Sequence, residues 1–255
     1  MLQHGDFTAL AKDYVNRPGY SRDALRCLIR HTGVHVNGAR VADVGAGTGK
    51  LTQLLADCGL AGHAVEPNDA MRAEAARLAA GGSGFEWRAG AAEDTGLPDG
   101  CVDWVCMASS FHWTDTPVAL REFHRILRPH GHLTVLWNPR DLDGDAFQRH
   151  IDERIRAMVP GLKRRSSGSA AYTETVEQTL RTDALFGHVV FVEAPHAERM
   201  SRARYLAVWR SVNDIRVQAG EERWADIMTM IEDETEGLDD IVVGYRTRAW
   251  TVRAL

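Results

Sequence analysis

Hydrophobic positions along the first 140 residues alternate between two spacings. Short apolar runs predict buried strands, and the segments between them carry apolar residues at helical spacing. The predicted strands cover 41–44, 63–66, 85–88, 102–107 and 132–137, and the intervening helices cover about 50–58, 68–80 and 117–127. This alternation predicts a doubly wound, mostly parallel α/β sheet with helices on both faces.

The pattern is looser outside this region. Residues 7–32 are predicted to be helical with a break at Arg17–Gly19. Beyond residue 140 the spacing predicts helices and two further strands, over 145–159, 175–185, 188–193, 201–219, 221–236 and 240–253. We expect one domain, 1–255, in three parts. They are an N-terminal helical lid (1–32), a cofactor-binding core (33–140), and substrate-cap helices with the last two strands (141–255).

Composition narrows the possible functions. A net charge of -5 gives no reason to expect nucleic-acid binding. No apolar run approaches the roughly 18–20 residues needed to span a bilayer, and the first residues lack a secretory pattern. The four cysteines form no CxxC pair, and the histidines show no metal-ligand spacing. We therefore expect a cytoplasmic monomer or homodimer without a metal, a membrane contact or a nucleic-acid partner.

A glycine turn follows the first strand, in Val41-Ala-Asp-Val-Gly-Ala-Gly-Thr-Gly-Lys50. Gly45, Gly47 and Gly49 allow close approach of a ligand to the backbone, and the following helix presents unpaired N–H groups. The third glycine is one residue early for the dinucleotide fingerprint G-x-G-x-x-G. Asp43 in the strand could bind a cationic group, and Glu66 at the next strand's tip could accept two ribose hydroxyls. These acids favour S-adenosylmethionine over NAD(P), although an NAD(P)-dependent oxidoreductase remains an alternative.

The carboxyl ends of parallel strands meet at one edge of a doubly wound sheet. Several loops should therefore share a single cleft. They are the glycine turn 45–49, Glu66, the loop at 92–93, and the segments 109–113 and 137–140.

Residues 38–140 resemble class I S-adenosylmethionine-dependent methyltransferases. The resemblance is strongest to the small-molecule group that includes trans-aconitate and ubiquinone-pathway methyltransferases. It rests on the glycine turn with Asp43 and on ordered motifs over about 100 residues: Val65-Glu-Pro-Asn-x-x-Met71, Ala89-Gly-Ala-Ala-Glu93, Leu97-Pro-Asp-Gly-x-Val-Asp103, Phe111-His-Trp113 and Glu122-Phe-His-Arg-Ile-Leu-Arg-Pro-His-Gly131. Upstream, Tyr14-x-x-Arg17-Pro-x-Tyr20 also resembles a segment common in that group. The region after residue 140 matches only loosely. For the fold, the resemblance implies seven strands in the order 3-2-1-4-5-7-6 with the last strand antiparallel.

The resemblance also implies S-adenosylmethionine as cofactor and S-adenosylhomocysteine as product. Asp43 and the glycine turn would hold the methionine part, Glu66 the ribose, Met71 and the 92–93 loop the adenine, and Ser109 the region of the methionine carboxylate. The residues expected to bind the cofactor are Asp43, Gly45, Gly47, Thr48, Gly49, Glu66, Pro67, Met71, Ala92, Glu93 and Ser109. The family often has an aspartate at the position of Ala91, so Glu93 or a backbone carbonyl would have to replace its adenine contact.

Methyl transfer to a small-molecule acceptor is an in-line displacement, and a hydroxyl nucleophile must also lose its proton. His112, at the end of the fourth strand, is the candidate general base, with a structural histidine as the alternative. Transfer to oxygen is favoured over transfer to nitrogen or carbon. The candidate substrate residues are Tyr14, Arg17, Tyr20, Trp113, Trp137, Asn138 and Arg140. Of these, the arginines and Asn138 could bind a carboxylate or carbonyl. A non-catalytic adenosyl-binding protein is the remaining alternative.

Overall fold

The computed structural model describes residues 8–34, 38–78, 84–164 and 170–255. Its strands are β1 (Arg40–Val44), β2 (Ala61–Val65), β3 (Phe85–Arg88), β4 (Val102–Ala108), β5 (Leu127–Trp137), β6 (Val190–Ser201) and β7 (Asp240–Arg253). Its helices are α1 (Ala11–Tyr14), α2 (Arg22–Thr32), α3 (Lys50–Asp57), α4 (Asp69–Leu78), α5 (Thr116–Ile126), α6 (Ala146–Met158), α7 (Ala170–Thr182), α8 (Arg202–Arg210), α9 (Asn213–Ala219) and α10 (Glu221–Glu234). The start of the predicted lid (1–7) and the predicted helix end at 79–80 lie outside the described residues.

The strands form one seven-stranded sheet in the order β3-β2-β1-β4-β5-β7-β6. Strands β1 to β5 pair in parallel, and β7 is antiparallel to both β5 and β6. This confirms the predicted doubly wound sheet with an antiparallel last strand. The chain reverses its direction of winding between β1 and β4. A crevice therefore opens above the carboxyl ends of these two strands.

Apolar side chains cover both faces of the sheet. On one face, α2 and α3 contribute Leu25, Leu28 and Leu55 to a buried cluster beneath β1 and β2. On the other face, α5 contributes Leu120 and Phe123 to a second cluster. Each helix presents apolar residues three or four positions apart, so one stripe faces the sheet and the opposite face remains polar.

A third apolar cluster lies beyond the sheet and joins α6, α8, α9 and α10 to the first half of β7. We call this unit the cap. Strand β6 pairs with β7 over twelve positions, from Val190↔Thr251 to Ser201↔Asp240, and is much longer than the predicted strand 188–193. Because β5 pairs only with residues 248–253 of β7, the rest of this hairpin extends past the sheet and supports the cap.

The predicted helix 201–219 is two helices, α8 and α9. The Ser211 hydroxyl donates to the Val208 carbonyl at 2.6 Å, and Val212 has extended backbone with ψ of 99°. A serine that bonds back to the preceding turn competes with the helical ladder, which accounts for the break. No helix in the described ranges is both long and apolar enough to cross a bilayer.

Candidate active site

The backbone conformation of the turn after β1 favours glycine at three positions. Gly45, Gly47 and Gly49 have φ angles of 68°, 58° and 85°, in the left-handed region that side chains disfavour. A Cβ atom on Gly45 would also lie 2.6 Å from the Ser110 hydroxyl oxygen. The backbone N–H groups of the turn and the start of α3 therefore lie at the crevice, and the glycines place no side chain between them and a ligand. Gly49 itself packs against Trp87 and lines neither cavity described below.

The Asp43 carboxylate lies buried under this turn with only one oxygen satisfied. Its Oδ2 accepts a 2.5 Å hydrogen bond from the Thr52 hydroxyl on α3. Its Oδ1 has no partner among the described residues. Burial raises the pKa of Asp43 to about 7, although the Thr52 hydrogen bond opposes this rise. A ligand that donates a hydrogen bond or carries positive charge would satisfy this oxygen.

The Glu66 carboxylate, just after β2, is fixed by backbone donors. Its Oε2 accepts from the Gly47 N–H and its Oε1 from the Asn68 N–H, both at 2.9 Å. Burial raises its pKa. Each oxygen retains a lone pair, which suits a pair of neighbouring hydroxyls. Asn68 also caps α4 by accepting from the Met71 N–H at 3.1 Å, which orients the helix that carries Met71.

The loop at residues 91–95 is held by a glutamate that the sequence analysis did not select. Glu122 on α5 accepts from both the N–H and the hydroxyl of buried Thr95, at 2.9 and 2.5 Å. The Glu93 carboxylate, expected near the adenine, instead accepts from the Asp115 N–H at 2.7 Å. Ala92 lines the smaller of the two cavities described below, and its N–H has no acceptor among the described residues. The Ala92 N–H is therefore a second candidate for contact with the adenine beside Glu93, which lines the same cavity.

Two cavities meet above the glycine turn. The smaller, about 180 Å³, is lined by Glu66, Pro67, Met71, Ala92 and Glu93. The larger, about 780 Å³, includes Asp43 and Thr48 and extends beneath the cap. The residues that line both are Tyr14, Gly45, Gly47, Ala108, Ser109 and Trp113. The predicted cofactor residues, apart from Gly49, therefore line one connected space.

The segment between α1 and α2 closes one side of the large cavity, which Tyr14, Arg17 and Tyr20 all line. Arg17 Nε and Nη2 donate to the hydroxyl and carbonyl of Ser211 at 2.6 and 2.9 Å, which links this segment to the cap. The Tyr20 hydroxyl donates to the Ser109 Oγ at 3.1 Å.

Asn138 also lines the large cavity, but both ends of its amide are engaged. Its Nδ2 donates to the Gly19 carbonyl at 2.8 Å, and its Oδ1 accepts from the Thr247 hydroxyl at 2.9 Å. Asn138 therefore holds the lid segment against the last strand. This arrangement supports a positioning role better than the expected contact with substrate.

Neither His112 nor Trp137 is among the described residues that line the two cavities. Trp137 is fully buried with its ring 5.9 Å from that of Trp250, and its Nε1 donates to His112 Nδ1 at 3.4 Å. Burial lowers the pKa of His112 from the ordinary histidine value of 6.5 to about 4. Trp113, whose ring centroid lies 4.5 Å from that of His112, does border both cavities.

The cap adds cavity residues that sequence reasoning missed. Gln148 on α6, Trp209 on α8 and Tyr245 on β7 line the large cavity opposite the glycine turn. Arg140, a predicted substrate residue, lies over the Trp209 ring with its Cζ 3.9 Å from the ring centroid. One local pattern could have indicated Gln148, because this amide stands next to Phe147 on the apolar face of a predicted helix.

Comparisons with known proteins show which proteins this chain is similar to. A family model described as a methyltransferase domain matches residues 42–135. An uncharacterized methyltransferase of Mycobacterium tuberculosis is 39% identical over 129 residues, which cover 49% of this chain and 48% of that protein. The chain thus spans about half the length of the curated relatives it matches.

Two solved structures share the fold. A candidate type II methyltransferase of Anaeromyxobacter dehalogenans is 23% identical, with a TM-score of 0.63 over 93% of this chain and 97% of that one. A Haemonchus contortus phosphoethanolamine N-methyltransferase, solved with phosphomonomethylethanolamine and S-adenosylhomocysteine, is 14% identical, with a TM-score of 0.52 over 96% of this chain and 56% of that one. Residues 42–135 therefore match a methyltransferase domain, and the chain has the Rossmann-like fold of these two solved methyltransferases.

Proposed function

We propose that this protein transfers a methyl group from S-adenosylmethionine to a small-molecule acceptor, with oxygen favoured over nitrogen or carbon as the accepting atom. One observation carries the proposal. The buried Asp43 carboxylate, with an unpartnered oxygen, lies beneath the glycine turn, and the Glu66 carboxylate is fixed by a backbone donor of the same turn. The methyltransferase of known structure that holds S-adenosylhomocysteine shares this fold.

The described residues fit this cofactor. S-adenosylmethionine, when bound, supplies a methyl group on a positively charged sulfonium. Asp43 and the glycine turn would hold its amino-acid part, and Glu66 would accept the two ribose hydroxyls. Met71 would pack against the adenine, and the Ala92 N–H would donate to the adenine edge. The unpartnered Asp43 Oδ1 is the atom that this assignment satisfies.

The acceptor would occupy the large cavity under the cap. The lid segment and the cap enclose this space, so they can exclude water and orient the accepting atom towards the junction of the two cavities. Tyr14, Ser109 and Trp113 line that junction. Polar groups that line the cavity far beyond the cofactor region favour an enzyme over a protein that only binds an adenosyl ligand.

His112 stays a predicted general base. Its pKa of about 4 leaves the ring neutral at pH 7, so it can accept a proton, but only weakly. A His112→Ala variant tests the role directly. Loss of a base should lower kcat and remove an ionisation from the pH–rate profile. A histidine that serves only to pack between Trp113 and Trp137 would instead lower thermal stability and leave the profile unchanged.

The NAD(P) alternative meets an electrostatic obstacle in this crevice. A pyrophosphate at the glycine turn would lie close to Asp43 and would disfavour the ionised form of its carboxyl, whose pKa is already raised to about 7 by burial. A sulfonium-bearing amino acid would instead be attracted. The charge of the ligand group next to Asp43 therefore distinguishes the two cofactors.

Calorimetry with S-adenosylhomocysteine and with NADH tests the proposal. We expect heat of binding only for the first, and its loss in Gly47→Val and Asp43→Ala. Gly237→Val is the matched control, since Gly237 also has positive φ, 75°, but no neighbouring atom within 4 Å of an added Cβ. Unchanged affinity in both crevice variants, or binding of NADH instead, would refute the assignment.

A further inference from the structure

Several side chains that line the large cavity have a buried polar atom left unsatisfied, and three of these atoms lie on Arg140, Gln148 and Tyr245 beneath the cap. The three atoms are Arg140 Nε, Gln148 Nε2 and the Tyr245 hydroxyl, and none has a partner among the described residues. Gln148 and Tyr245 are 1% and 3% exposed. Burying a donor without an acceptor is costly, and native proteins rarely do it. Arg140 Nε and Gln148 Nε2 can only donate and the Tyr245 hydroxyl can donate, so an acceptor would satisfy each of the three.

The Arg140 guanidinium is held in a geometry suited to such a partner. It lies over the ring of Trp209, an indole that is 1% exposed, at 3.9 Å. A guanidinium stacked on an aromatic face keeps its in-plane N–H groups available, and these match the two oxygens of a carboxylate or phosphate. The backbone of Arg140 also forms a bridge with Tyr245, which brings the two residues side by side.

Arg140 differs in its charge balance from the other arginines of this cavity. Four of them are neutralised by acids, in the pairs Arg156–Asp152, Arg164–Asp152, Arg164–Asp214, Arg246–Asp141, Arg246–Glu193 and Arg248–Glu193. Arg140 forms no ion pair with any residue in the described ranges. Arg17 bonds to Ser211. Burial lowers the pKa of Arg17 most and the charge of Arg140 lowers it further, while Tyr14 and Asp214 oppose the shift. The cavity therefore holds two neighbouring cations, and a bound anion would relieve the repulsion between them.

We propose that the methyl acceptor carries an anionic oxygen group, a carboxylate or a phosphate, which binds to Arg140, Gln148 and Tyr245 beneath the cap. This inference rests on the proposed methyltransferase function and names its substrate class. The same cavity continues to the glycine turn and Ser109. An acceptor anchored under the cap would thus extend its reacting atom towards the junction with the cofactor space.

Anion binding to protein saturated with S-adenosylhomocysteine tests this inference. The probes are malonate and inorganic phosphate, with uncharged malonamide as the neutral comparison, titrated calorimetrically at constant ionic strength. We expect the anions to bind and malonamide not to bind. Arg140→Gln should weaken anion binding by about 10- to 100-fold, the effect of losing hydrogen bonds to a charged group, and leave S-adenosylhomocysteine affinity unchanged. The tighter of malonate and phosphate identifies the anion type.

Two further variants separate a site from general electrostatics. Arg156→Gln removes one charge from the same cavity lining but leaves Asp152 paired with Arg164, so anion affinity should stay near wild type. Tyr245→Phe removes only a hydroxyl and should weaken binding several-fold. Equal anion affinity in wild type and Arg140→Gln would overturn the inference, as would equal binding of malonamide. Failure of every anion to bind while S-adenosylhomocysteine binds would also overturn it and leave the cofactor assignment standing.

Discussion

Replacing Asp43 with asparagine should make the ligand-free protein more stable at high pH. The pKa of this carboxyl is about 7 in the folded protein against an ordinary value of 3.8, because burial disfavours the charged form. A raised pKa means that the folded state binds the proton more tightly. The stability from this proton is therefore fully present below pH 3.8 and is lost as the pH rises through about 7.

The size of the effect follows from the shift. About three pKa units correspond to about 4 kcal/mol, of which about 3 kcal/mol is lost between pH 5 and pH 8. The asparagine side chain of the variant does not ionise, and its amide oxygen can still accept from Thr52. The stability of Asp43→Asn relative to wild type should therefore increase by up to about 3 kcal/mol over this interval. The same change should weaken S-adenosylhomocysteine binding, an example of stability given up for function.

Urea unfolding at pH 5, 6.5 and 8, followed by tryptophan fluorescence at constant ionic strength without ligand, measures this difference. Asp57→Asn at the end of α3 is the control. The pKa of Asp57 is lowered from its ordinary value of 3.8 by hydrogen bonds from Gln53 and Arg22, so Asp57 stays ionised from pH 5 to pH 8 and the stability difference between its variant and wild type should stay constant over this interval. If the free-energy difference between Asp43→Asn and wild type is the same at pH 5 and pH 8, the carboxyl is not perturbed and the reasoning fails.

Two other substitutions test how the crevice is built. Gly45→Ala should destabilise the protein by about 1–3 kcal/mol and weaken S-adenosylhomocysteine binding, because the new Cβ meets Ser110 at positive φ. Chemical denaturation measures this loss of stability. The control is Gly33→Ala, because Gly33 has a similar φ but no atom within 4 Å of an added Cβ, and an equal loss of stability in both variants would count against the clash with Ser110. Glu122→Ala should cost about 1–3 kcal/mol by leaving buried Thr95 donors unsatisfied, and should lower cofactor affinity several-fold. Calorimetric affinity equal to wild type would show that the loop keeps its shape without this anchor.

The sheet and the glycine turn could be predicted from sequence because the patterns that encode them are local. A strand, a turn with glycines at fixed positions and a helix follow one another within residues 40–57. The strand order and the antiparallel β7 were implied by the family resemblance, and the structure confirms them. Asp43 and Glu66 were found for the same reason, since each stands at a strand next to a turn.

The cap side of the cavity could not be predicted in this way. Gln148, Trp209 and Tyr245 lie on α6, α8 and β7, and only the long β6–β7 hairpin brings them close to the predicted residue Arg140. The length of that hairpin could not be predicted from the sequence, because the exposed side of β6 has no continuous apolar pattern.

Side-chain partners at the remaining positions are also non-local. Asn138 has an amide side chain of the kind that often contacts a ligand. Here the amide is hydrogen-bonded to the Gly19 carbonyl and the Thr247 hydroxyl. Trp137 is the last residue of a predicted strand, at the edge of the sheet that carries the cleft, but its side chain is buried in the core. The orientation of such side chains depends on contacts with residues far away in sequence, and local spacing does not predict these contacts.

The central claim, methyl transfer in this cleft, is tested most directly by following the methyl group itself. The protein is incubated with methyl-labelled S-adenosylmethionine and a metabolite extract, and the labelled products are identified by mass spectrometry. The account predicts a labelled small molecule that carries a carboxylate or phosphate, and its loss in Gly47→Val. Binding of S-adenosylmethionine without transfer to any component of the extract, or label that persists in Gly47→Val, would contradict it.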